Sequence, residues 1–322
     1  MAVPARREPD PGPRPLPSPR PRSAAWHLRA GVLAVCVAVV GWGFNNVIVK
    51  ITSVPGLTFT FWRLWLGAGA MMVVLTLARR RLTRDVLVAS APGGLLLGVE
   101  MIFFFLALKQ TSVADVTIIA ALQPALTLLV AGPMFGEVVT GAEIAWTSLS
   151  LGGVALVAIG SSGTPAWSLR GDALAAVSLL AWTAYFVVTK RVRARIPTLE
   201  YLTAVMIVAA LLATPVALLS RDPLLASMHA SDWFWLGLFV VGGTSGHVLL
   251  TWAQPRVPVK VSSLLMLGLP VVSGIAALLV LGETLAPLEI VGGLVVIGAV
   301  AAVVVRAARS GAGEEIETDV PG

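Results

Sequence analysis

The chain has 322 residues, 57% of them hydrophobic and only 12% charged, with a formal net charge of +6; its mean hydropathy is +0.88. Soluble domains carry about 25% charged residues, so this chain has too little polar surface to face water on all sides. The composition excludes an ordinary soluble enzyme, a nucleic-acid-binding protein and a disulfide scaffold, and it points to a chain that crosses a bilayer many times.

Residues 1–28 hold eight prolines between Pro4 and Pro21, interleaved with Arg. Such a segment buries no apolar surface and is expected to be a disordered tail. The apolar run after it is too long for a signal peptide and lacks a small-residue cleavage pattern. Ten apolar runs follow, at about 30–49, 57–78, 86–108, 113–136, 142–160, 171–189, 200–219, 233–252, 261–281 and 286–305. Each has the length of one bilayer crossing, and backbone groups in lipid must be satisfied within the segment, so each is predicted to be a helix. Short connections make successive helices antiparallel neighbours. Residues 306–322 are basic and then acidic (Glu314, Glu315, Glu317, Asp319) and read as a solvated cytoplasmic tail.

The 23 Lys and Arg residues are unevenly placed. With the N-terminus in the cytoplasm, 18 fall on the inner side and four (Lys50, Lys109, Arg170, Arg221) on the outer side, while Arg63 lies within the second span. By the positive-inside rule both termini are cytoplasmic, in the cytoplasmic membrane. An even number of spans requires the same. Cys36 is the only cysteine, and no Cys/His group has zinc spacing, so no metal, disulfide or cofactor is expected.

The chain repeats itself. Trp42 and Lys50 are spaced as Trp182 and Lys190 are, and Pro124, Glu137, Glu143 and Gly152 stand at the same offsets as Pro270, Glu283, Glu289 and Gly298. The reading is two repeats of five spans, 29–160 and 171–305. Five is odd, so the repeats enter the membrane in opposite directions. Inverted repeats of this kind characterise secondary transporters with a site at the repeat interface. The fold class is thus all-α integral membrane, ten transmembrane helices as two inverted five-helix repeats.

At these residues the sequence resembles the drug/metabolite transporter superfamily, as a tandem EamA-domain protein. The matching pieces are the Trp42-Gly43…Lys50 start, Arg63, and the stretches from Ala107 to Glu137 and from Trp252 to Glu283. The resemblance implies a ten-helix carrier with cytoplasmic termini and a central cavity, exporting small metabolites, amino acids or drugs, often by proton exchange. The second copy departs from the first: Val205 stands at the position matching Arg63, and Thr183 at that matching Gly43.

Ionisable groups at mid-membrane are rare and costly, about 2.5–3.5 kcal/mol on insertion scales, and are functional candidates by default. Glu100 in the third span and His247 in the eighth are candidates for proton coupling; the alternative for each is a neutral group holding helices together. A direct Glu–His pair is not expected, because the two lie on the order of 11 Å apart in depth at 1.5 Å per residue. Asn45 and Asn46 in the first span, and Gln123 with Thr127 on one face of the fourth, can bind a polar solute or join helices. Trp42, Trp182, Tyr185 and Phe186 can line a cavity or pack as core. Arg63 can snorkel outward or attract an anionic group. Pro124 and its counterpart Pro270 are expected to kink their spans. Glu137 and Glu283 end theirs, as hydrogen-bond acceptors at the membrane edge or as parts of a gate. Gly94/Gly98 and Gly242/Gly246 have the spacing of close helix contacts.

The leading expectation is a secondary exporter of a small-molecule substrate working by alternating access, with proton coupling at Glu100. The alternatives are a facilitator or importer on the same scaffold, and a non-transporting membrane subunit. No Walker motif accompanies the spans, and no paired-carboxylate, Ser/His or metal-ligand set lies at one depth, so neither direct ATP drive nor an intramembrane enzyme is expected.

Overall fold

The structure, a computed structural model, describes residues 24–318 except 53, 109, 112, 163–167, 221–227 and 283. The expectations for the proline-rich segment before Ala24, for Glu283 and for the last residues of the tail fall outside the described residues. Among the described residues all regular structure is helical: α1 (Ala24–Ile51), α2 (Gly56–Leu77), α3 (Arg84–Leu108), α4 (Val113–Ala120), α5 (Gln123–Phe135), α6 (Gly141–Ser162), α7 (Leu169–Arg193), α8 (Thr198–Leu219), α9 (Ala230–Ala253), α10 (Val259–Leu265), α11 (Leu269–Leu281) and α12 (Pro287–Thr318). Nine stretches are long and apolar enough to cross a membrane, and α12 adds a shorter apolar one, Pro287–Val303. The helix itself runs on to Thr318, past the predicted end of the last span.

The fourth and ninth spans differ from expectation. Each was predicted as one kinked helix; each is two. The fourth divides into α4 and α5 at Ala121–Leu122, and the ninth into α10 and α11 across a 3₁₀ turn, Met266–Gly268. Pro124 and Pro270 sit in the first turn of α5 and α11. Proline has no N–H to donate and its fixed φ suits a helix start, so here it opens a new helix rather than bending an old one.

The same local chemistry recurs in both repeats. Pro55 and Pro197 precede α2 and α8. Gly136 and Gly282 end α5 and α11 in the left-handed region, at φ 67° and 69°, the conformation that favours glycine at a helix C-terminus. The Glu143 carboxylate accepts from the Thr140 backbone N–H at 2.8 Å, and the Glu289 carboxylate does the same for Ala286 at 2.6 Å. Both cap the start of their helix and satisfy a donor that has no partner within it.

Helix contacts fix the relative direction of the repeats. Gly31 lies against Ala253 and Val257, whereas Gly242, nearer the start of α9, lies against Asn45, so α1 and α9 are antiparallel. Gly94 meets Val205 and Val208, and Gly98 meets Ala209 and Leu212, so α3 and α8 are parallel. The first and third helices within a repeat are parallel, and the second and third antiparallel. Both contacts are therefore reversed between repeats, as inversion requires. One end of the bundle carries Arg79, Arg80, Arg81, Arg84, Lys190, Arg191, Arg193, Arg195, Arg256 and Lys260; it is called the basic face below.

Without a hydrophobic drive between helices in lipid, close van der Waals contact has to hold them. The glycines supply it. A Cβ at Gly94 would fall 2.5 Å from Val208 Cβ and 2.9 Å from the Val205 carbonyl oxygen, while one at Gly152 would meet nothing within 4 Å. Gly94→Ala is therefore expected to destabilise the bundle by about 1–3 kcal/mol, the usual cost of overpacking, and Gly152→Ala to leave it unchanged. Thermal unfolding of the two variants in detergent checks this.

Candidate functional site

The two tryptophans that open the repeats converge at the middle of the bundle. Trp42 on α1 and Trp182 on α7 meet edge to face, with ring centroids 6.2 Å apart. Trp182 stacks on Tyr185 at 5.4 Å and meets the edge of Phe186 at 5.1 Å. Trp42 reaches across to α9, where its indole N–H donates to the Gly243 carbonyl at 3.1 Å. His247, one turn further along α9, lies against Trp42 with centroids 4.9 Å apart.

Arg63 completes the group from α2. It does not snorkel outward. Its Nη2 donates to His247 Nε2 at 3.4 Å, and its guanidinium lies 5.1 Å from the Phe239 ring centre. A guanidinium only donates, so His247 Nε2 is the acceptor and the imidazole is neutral, with its proton on Nδ1. That Nδ1 is buried and has no hydrogen-bond partner among the described residues.

Glu100 on α3 is a charge neighbour of Arg63 and of Tyr185. Among the described residues no ion pair or hydrogen bond joins Glu100 to Arg63 or to His247. No direct Glu–His pair is expected from the sequence, but sequence reasoning did not foresee that Arg63 contacts His247 and acts on the charge of Glu100. Arg63 and Glu100 are enclosed by protein yet keep intermediate exposure, as Trp42 and Trp182 do.

Other candidates are committed to the frame. Asn45 Nδ2 donates to the Phe239 carbonyl at 2.9 Å and ties α1 to α9. Asn46 Nδ2 donates to Ser273 Oγ on α11 at 2.8 Å. Gln123 and Thr127 share a face, as their spacing implies, and bond each other at 3.3 Å, both buried. Pro124 and Pro270 set the helix breaks.

Glu137 lies at the basic face, apart from the central group. Its Oε1 accepts from Lys190 Nζ at 2.7 Å and from the Val259 N–H at 2.8 Å, the first residue of α10. Lys260 on α10 pairs in turn with Glu143 on α6 at 2.7 Å. Two acids of the first repeat thus hold two lysines of the second. Sequence reasoning treated Glu137 as a span end and did not foresee its partners, although the shared spacing of Lys50 and Lys190 marked one of them.

A model of the EamA-like transporter family matches this arrangement twice, over residues 29–159 and 169–305. The chain belongs to the EamA-like transporter family, within the drug/metabolite transporter superfamily. It is therefore a multi-pass membrane protein of a family that transports small molecules. No curated protein matches the chain. Among solved structures, 29 chains match. One, titled only as the crystal structure of a protein, superposes with a TM-score of 0.73 at 21% identity, over 87% of this chain and 98% of that one. At that identity the likeness speaks for the fold alone.

The paired acids and lysines give this EamA-like transporter a cross-repeat latch. The Glu137–Lys190 pair keeps only 12% and 17% of its side-chain surface exposed, so each charge depends on the other. A double-mutant cycle of Glu137→Gln and Lys190→Met, followed by thermal unfolding, is expected to give a coupling of about 1.5–3 kcal/mol, typical of hydrogen bonds to charged groups.

Proposed function

We propose that the protein exports a small organic solute across the cytoplasmic membrane by alternating access, in exchange for protons, with both termini in the cytoplasm. The reading rests on one observation: Arg63 and Glu100 lie close enough to act on each other's charge, beside the cross-repeat contact of Arg63 with His247, and no bond joins the two among the described residues. A closed ion pair would be a structural brace. An open one leaves the guanidinium donors and the carboxylate available to a third party.

The chemistry of exchange follows. Ionised Glu100 and Arg63 offer an anionic and a cationic contact beside the Trp42–Trp182 pair and the free His247 N–H. A solute that uses the ionised carboxylate is displaced when a proton neutralises it, and a bound solute holds the proton off. Mutual exclusion of this kind is a coupling free energy between two ligands, and it is what exchange requires. The positions of Lys and Arg support the orientation, since the basic face is then cytoplasmic.

Metabolite profiling inside and outside cells that overexpress or lack the protein tests the direction. The expected result is a compound retained on deletion and released on overexpression; accumulation inside on overexpression would overturn export. With that compound, Glu100→Gln is expected to abolish flux driven by a pH gradient while retaining counterflow without one. Unchanged gradient dependence removes Glu100 from the coupling.

A further inference from the structure

Five of the six buried side-chain polar atoms that lack a hydrogen-bond partner among the described residues belong to one small group: His247 Nδ1, Tyr185 Oη, Thr251 Oγ1, and both amide atoms of Gln254. His247 and Thr251 on α9 and Gln254, which caps its C-terminus, fall at i, i+4 and i+7 and so share a face. Their exposures are 3%, 1% and 1%, and that of Tyr185 is 1%. An unsatisfied buried polar atom costs about 1–3 kcal/mol. Tyr185 Oη and Thr251 Oγ1 lie within reach of each other, but His247 Nδ1 and both amide atoms of Gln254 are left without a side-chain partner among the described residues.

The group is continuous in both directions. Toward the centre, Tyr185 is a charge neighbour of Glu100. Toward the basic face, the hydroxyls of Thr251 and Thr189 lie within side-chain hydrogen-bonding reach of that of Tyr185. Thr189 Oγ1 and Tyr201 Oη lie 2.8 Å apart. Beyond Tyr201 come the charges of Arg193 and Glu200. Arg193 Nε donates to the Thr251 carbonyl at 3.1 Å, and Glu200 pairs with the exposed Arg80 at 3.2 Å. The opposite side of Arg63 is different: there the rings of Phe59 and Phe239 meet at 4.8 Å, and Trp62 and Trp233 at 5.0 Å, within an apolar cluster with Ile48, Phe105 and Leu236.

We propose that Tyr185, Thr251, Thr189, Tyr201 and Gln254 form a hydrated file that carries protons between Glu100 and the cytoplasmic face. The proposal rests on the reading of Glu100 as the proton-coupling group. Buried waters characteristically make about three hydrogen bonds to polar groups that lack partners, and this group provides both donors and acceptors. A hydroxyl is donor and acceptor at once. Each can take a proton on oxygen and pass its own to the next, so a proton enters at one end, another leaves at the other, and every hydroxyl is regenerated. The carboxylate of Glu100 is the terminal acceptor, and the apolar cluster on the far side of Arg63 offers no matching path. These residues are positioning and relay groups; none has to touch the solute.

Two measurements on the full-length protein in lipid vesicles test this, with water and the proton as the only probes. In hydroxyl-radical footprinting, Tyr185, Tyr201 and His247 are expected to be oxidised despite their burial, while Phe59, equally buried at 2% exposed, is spared. In time-resolved infrared spectroscopy after a pH jump, the carboxyl band that Glu100→Gln removes is expected to respond about tenfold or more slowly in Tyr185→Phe and Thr251→Val, with its amplitude retained. Thr183→Val is the control, since that hydroxyl is bound to the Leu179 carbonyl at 2.9 Å and lies outside the file. Absence of labelling overturns the file. Labelling with unchanged carboxyl rates overturns its role in proton transfer. Neither readout uses solute flux, so intact pH-driven flux in Glu100→Gln would refute the coupling reading on separate grounds.

Discussion

A cation in the middle of a bilayer has to be solvated by protein, and the arrangement around Arg63 meets that requirement. Its guanidinium draws an imidazole and an aromatic face from α9 and the charge of a carboxylate from α3. None of these can reach it unless α2, α3 and α9 approach closely, with α1 packed against α9. Small residues make that approach possible: Gly67 faces Thr244, and Gly242 and Gly246 leave room for Asn45 and the Trp42 indole. A side chain at either α9 glycine would push α1 away and take the aromatic wall of the site with it. Helix packing and central chemistry therefore depend on the same few positions.

The two repeats share a frame but not a site. The frame is written in backbone chemistry: prolines that open helices, glycines that close them in the left-handed region, and glutamates that cap their own helix starts. These features recur at matching positions because each repeat must solve the same problem of beginning and ending a helix in a membrane. The central chemistry does not recur. Val205 stands where symmetry would place a second Arg63, and Gly246 where it would place a second Glu100. The interface is thus a symmetric cradle around an asymmetric set of charges, with only the tryptophans contributed by both halves.

The number and order of the spans were legible because run length against bilayer thickness is a strong constraint. Inversion was legible from the odd span count alone. The helix breaks were not: a proline in an apolar run reads as a kink, and only the backbone reveals that it starts a new helix. At the site, depth along the helix axes led to the expectation of no direct Glu100–His247 pair, and no bond joins them among the described residues, but depth says nothing of a long side chain reaching sideways. Arg63 was therefore left with two roles, and contact with a neutral histidine was neither of them. Asn45 and Asn46 carried two readings that sequence weighs equally; their partners lie on helices more than 190 positions away. The face formed by His247, Thr251 and Gln254 had a visible signal in its helical spacing, overlooked because only the histidine ionises.

The divided spans carry a mechanical consequence. Bending an intact helix stretches or breaks backbone hydrogen bonds, and in lipid a broken bond has no water to replace it. Where α4 gives way to α5, and α10 to α11, the regular α-helical ladder passes through a turn or a 3₁₀ segment and loses the donor of Pro124 or Pro270. At these junctions side-chain packing has to supply part of the stiffness that an unbroken ladder gives elsewhere. The stiffness of these two spans is therefore set in part by contacts that substitution can tune one at a time, which is not so for an unbroken helix.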